Sequence, residues 1–67
     1  MPLPTLKSHL EAAKRALEEA LADVDTAGVN PEPVQKRFLI QALGEVLEAQ
    51  RELTAANKVL IPYAKKP

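Results

Sequence analysis

One imidazole and one short run of carboxylates are all this chain offers toward chemistry. His9 is the sole histidine, and there is no cysteine. That excludes thiolate catalysis, disulfides and any metal site built from several imidazoles. Ser8 stands next to His9, but adjacent residues on a helix do not face each other, so the two cannot form a nucleophile–base pair. Glu45, Glu48 and Glu52 share one helical face at three- and four-residue spacing. A carboxylate metal centre of the bundle type needs Glu-x-x-His pairs on facing helices, and none is present. The strip therefore reads as a solvated acidic face. The two glycines, Gly28 and Gly44, make no phosphate-binding loop. The expectation is a protein without catalytic residues, cofactor or metal.

The totals narrow the class further. Sixty-seven residues allow one small domain, and nine basic residues balance nine acidic ones. A neutral chain with one Phe, one Tyr and no Trp lacks the basic excess and the stacking aromatics of a general nucleic-acid binder. The first residues, MPLPTLKSHLE, carry no signal-peptide core. The longest runs of large apolar residues, Phe38-Leu39-Ile40 and Val59-Leu60-Ile61, fall far short of the roughly 20 residues a membrane span needs. The expected location is the cytoplasm, or a particle assembled in it. No membrane contact is expected.

The elements that must position these residues are two helices. Met1 to Pro4 reads as extended because of its prolines, and Thr5 as the N-cap of a helix over about 6–27. Its apolar stripe is Leu6, Leu10, Ala13, Leu17, Ala20/Leu21 and Val24, alternating steps of four and three. The pairs Glu11–Arg15, Lys14–Glu18 and Arg15–Glu19 stand at helical neighbour spacing on the opposite face. Gly28 suits a left-handed helix end. Asn30-Pro31-Glu32 reads as N-cap, first helical residue and first-turn carboxylate. The turn is then 28–30, short enough to force antiparallel neighbours. The second helix covers about 31–60, stopped by Pro62, with a tail over 61–67. The fold class is all-α: an antiparallel two-helix hairpin.

The second helix carries more apolar surface than the first can cover. Projected at 100° per residue, its apolar side chains fill roughly 200° of arc, against about 100° on the first helix. The surplus lies either around Ile40, Leu43 and Leu47 or around Phe38, Ala42 and Ala49. Cores this small are marginal without disulfides, metals or oligomerisation. The hairpin is therefore expected to self-associate into a four-helix bundle or larger helical assembly. The expected interface is Phe38, Leu39, Ile40, Leu43, Val46, Leu47, Gln50, Leu53, Asn57 and Leu60. Gln50 and Asn57, one heptad apart, could fix register as buried amides do in coiled-coil seams. Gly44 could admit close approach of another chain.

Two tasks fit such a shape. The first is a structural or adaptor role through helix–helix contacts, as an assembly, scaffolding or cement component or a protein inhibitor. Its partners are other copies of the chain and a larger protein assembly. The alternative is a nucleic-acid-binding regulator in which Lys36, Arg37, Lys58, Lys65 and Lys66 gather only in the oligomer. A short helical hairpin that dimerises into a four-helix bundle resembles the plasmid copy-number RNA-binding Rop proteins. The resemblance is architectural, two helices and a tight turn, and no residue carries over.

Overall fold

The computed structural model describes residues 3–65. They form two α-helices, α1 (Leu3–Gly28) and α2 (Glu32–Ala64), packed as an antiparallel hairpin 53 Å long and 19 by 13 Å across.

Both helices outrun their expected bounds at prolines. Leu3 and Pro4 lie in the first turn of α1 rather than in an extended lead. A proline is tolerated there because first-turn amides have no intrahelical acceptor to lose. Thr5 is consequently inside the helix and not its N-cap; Met1 and Pro2 lie outside the described residues. At the other end α2 continues through Pro62 to Ala64. Only the last turn follows that proline, so its missing amide costs a single helical bond.

The turn departs from expectation as well. Gly28 is the last residue of α1 and takes no positive φ, so no left-handed cap forms. The end of α1 is instead tightened by Val29 N–H to the Thr26 carbonyl at 3.3 Å and Asn30 N–H to the Ala27 carbonyl at 3.2 Å. Two side-chain amides complete it. Asn30 Nδ2 donates to the Thr26 carbonyl at 2.7 Å, and Gln35 Nε2 donates to the Ala27 carbonyl at 3.1 Å. These bonds satisfy carbonyls that a helix end leaves without partners. Asn30 thus caps the helix behind it. The N-cap of α2 is Pro31, with no side-chain hydrogen bond, and Pro33 lies in the first turn.

Every buried residue among those described is an alanine. Ala13, Ala16, Ala20 and Ala27 of α1 and Ala42, Ala49 and Ala56 of α2 are each between 1 % and 6 % exposed. Ala13, Ala20 and Ala27 are one heptad apart, as are Ala42, Ala49 and Ala56. The Gln35–Ala27 and His9–Glu52 contacts set the register. It places Ala20 opposite Ala42, Ala13 opposite Ala49, and Leu6 opposite Ala56. The mixed stripe expected to face α2 is therefore split. Its alanines fill the seam, while Leu10, Leu17, Leu21 and Val24 stay in solvent. Small side chains let the backbones approach along the middle of the hairpin. The early start of α1 also covers Ala56, so the expected two-turn overhang of α2 shrinks to roughly its last turn.

A candidate association face

The displaced leucines collect on one side of the hairpin. In α1, Leu3, Leu10, Leu17, Leu21 and Val24 are turned by about 50–110° from the centre of the alanine seam, all in the same sense. In α2, Leu39, Leu43, Val46, Leu53 and Ile61 are turned in that same sense from Ala42 and Ala49. In an antiparallel pair, equal rotations about the two axes lead to the same side. The two stripes therefore form one continuous face. An open groove lined by Leu10, Ala13, Leu17 and Leu21 of α1 with Leu53 of α2, and bordered by Lys14 and Glu18, lies in its middle.

The face is exposed in the single hairpin. Leu17 is 46 %, Leu43 58 % and Leu47 51 % accessible. Of the residues read from sequence as the interface, Leu39, Ile40, Leu43, Leu47, Gln50, Leu53, Asn57 and Leu60 are exposed, and Val46 is half-buried. Ile40 and Leu47 stand at its outer edge. Gln50 and Asn57 share the column of Leu43 and so lie within the leucine stripe, as two exposed amides on the face. Phe38 is half-buried and turned toward α1, so it belongs to the seam. Of the two arcs considered for the surplus, Ala42 and Ala49 are taken by α1, which leaves the one around Ile40, Leu43 and Leu47. Gly44 lies away from this face, with nothing within 4 Å of a Cβ built there.

The opposite side is polar, and sequence reasoning underrated it. His9 Nδ1 and Glu52 Oε1 meet at 2.6 Å across the helices, so neither belongs to an idle strip. Glu45 and Asp23 face each other from α2 and α1. Asp23 Oδ2 and Glu45 Oε1 are shut off from solvent with no fixed donor. The Glu45 carboxyl is pushed up to about 7 from its ordinary 4.5. A hydrogen bond with Asp23 is the largest cause, followed by lost solvation and repulsion from Asp23, Glu19 and Glu48. Glu48 is exposed, as the solvated-strip reading has it. The antiparallel register was the signal that could have found these pairs. Among the described residues, no group of three or more His, Cys, Asp or Glu side chains is placed to hold a metal ion.

The basic residues do not converge in one hairpin. Lys36 and Arg37 lie in the first turns of α2, and Lys58 and Lys65 at its other end; Lys66 lies outside the described residues. No described helix is long and apolar enough to cross a membrane. No family model, curated protein or solved structure matches the chain.

Proposed function

We propose that the protein acts through helix–helix contacts and performs no chemistry of its own. In this reading it is a small assembly, scaffolding or adaptor component, or an inhibitor docking on a larger protein, working in the cytoplasm or in a particle assembled there. Its first partner is another copy of itself, giving a four-helix bundle or a larger helical assembly.

One observation carries the reading. Among the described residues the hairpin buries only alanines, while most of its leucines stand exposed on one side. Exposed apolar patches of that extent mark interaction surfaces. At 53 by 19 Å the broad side of the hairpin offers about 1,000 Å², against roughly 800 Å² per partner in a standard stable interface. Alanine burial alone is a thin core for a chain with no disulfide, so covering the face supports the fold as well as the contact.

Light scattering coupled to size exclusion tests it. The expected mass is at least twice 7.3 kDa. A helical monomer at micromolar concentration sinks the reading. Binding of labelled RNA or DNA that weakens steeply with salt would transfer the face to nucleic-acid regulation.

A further inference from the structure

In each helix one column stands about 100° round from the buried alanines and projects out of the candidate face. In α1 it holds Lys7, Lys14 and Leu21; in α2 it holds Leu43, Gln50 and Asn57. All are exposed, Leu21 at 63 % and Leu43 at 58 %. The register set by the Gln35–Ala27 and His9–Glu52 contacts brings Leu21 level with Leu43, Lys14 with Gln50, and Lys7 with Asn57. Each pair agrees within about 3 Å along the axis, at 1.5 Å per residue. Both columns therefore change from apolar to polar at the same height. Gly28 and Lys36 continue them beside the turn.

Two copies joined face to face are related by a two-fold axis along the helices, with both turns at one end, or by an axis across them, with the turns at opposite ends. We infer that the second copy lies with its turn at the same end, so that α1 of each copy covers α2 of the other. This rests on the self-association argued above and specifies its geometry.

With the turns together, heights are unchanged. Leu21 of each copy meets Leu43 of the other, and both leave water. Lys14 meets Gln50 and Lys7 meets Asn57. Each amide carbonyl then faces an ammonium able to donate to it.

With the turns apart, each helix lies reversed on its own copy. An axis at mid-hairpin, near Arg15, sets Leu43 on Gln50, Leu21 beside Lys7, and Lys14 against Lys14. The Gln50 amide is then stripped of water without a polar partner, a net cost. Lys36 would meet Asn57, which replaces the Lys7 contact without adding one. Sliding the axis to the leucine level restores Leu21 to Leu21 and Leu43 to Leu43. Leu3, Leu10, Leu53 and Leu60 of both copies then fall beyond the overlap and stay between 39 % and 53 % exposed. The outer column of α2, with Ile40 and Leu47, stands about 40° beyond Leu43, at the rim. Turns together leave it in water beside Glu18. Turns apart would join Leu47 to itself and set Ile40 on Thr54, one apolar contact against the two that Leu21 and Leu43 make.

The chain has no cysteine, so Val29→Cys gives one labelling site, in the turn at a residue 83 % exposed. A nitroxide attached there to the full chain reads the geometry by pulsed electron paramagnetic resonance. Turns at one end place the labels under about 25 Å apart, across four helices spaced roughly 8–10 Å from their neighbours. A distance of about 40 Å, the span at 1.5 Å per residue across a mid-hairpin axis, in a species of twice the monomer mass overturns the same-end arrangement and leaves self-association standing. A monomer mass with no dipolar coupling overturns the self-association itself.

Discussion

A carboxyl that holds its proton near neutrality ties helix pairing to pH. Glu45 has its folded value at about 7, above the ordinary 4.5, so the folded hairpin binds this proton more tightly than the unfolded chain does. The resulting stabilisation is complete below about 4.5 and is lost as pH rises through about 7. The physical reason is local. Without that proton, Asp23 and Glu45 present two carboxylates to each other, with Glu19 and Glu48 adding to the repulsion. The thermal midpoint followed by circular dichroism should fall between about pH 5 and about pH 8. Glu45→Gln keeps a neutral donor facing Asp23. It should raise the midpoint at the alkaline end and flatten the pH dependence. An unchanged slope in that variant would assign the effect to another group.

At the scale of the element, the hairpin depends on small side chains in its seam. Ala49 is 1 % exposed, with α1 directly across from it. Ala49→Leu should cost about 1–3 kcal/mol, the usual penalty for overfilling a tight site, measured by chemical denaturation. A neutral result would mean that the helices can move apart without loss. Two helices and a tight connection were legible in the sequence. Helix 1 lacks Gly and Pro between Thr5 and Ala27, and its alanine, leucine and charged residues favour helix. The ends were less legible. Pro4 and Pro62 read as breakers, yet each sits within a turn of a helix end, where the lost bond is few or none. Asn30 could cap either neighbouring helix, and only the backbone path determined that it caps α1.

At the scale of the whole molecule, the hairpin is two-sided, with His9, Asp23, Glu45 and Glu52 on one flank and the leucine ladder on the other. Leu43 lies on the face assigned to the second copy and is 58 % exposed in the hairpin. Leu43→Glu should therefore spare the alanine seam and strike association, burying a carboxylate at a cost on the order of 3 kcal/mol. Mass and helicity should fall together on dilution, because the thin seam alone holds the helices weakly. If the variant stays helical as a monomer, the seam suffices and the face serves another partner. The candidate face was legible as an excess of apolar arc on the second helix. The leucines of α1 were assigned to the wrong contact, because spacing alone does not say which part of a broad stripe faces inward.

By itself the sequence determined that the chain makes two helices joined by a tight turn, since residue propensity and the short connection act locally. It also showed apolar surface in excess of what one hairpin can bury, because helical periodicity converts residue spacing into arc. Tertiary structure decided which part of that surface the hairpin uses. Close approach of the backbones admitted the alanines and rotated the leucines of both helices to a common side. That same approach brought Asp23 to Glu45 and His9 to Glu52, pairs more than twenty residues apart in the chain that exist only once the antiparallel register is set.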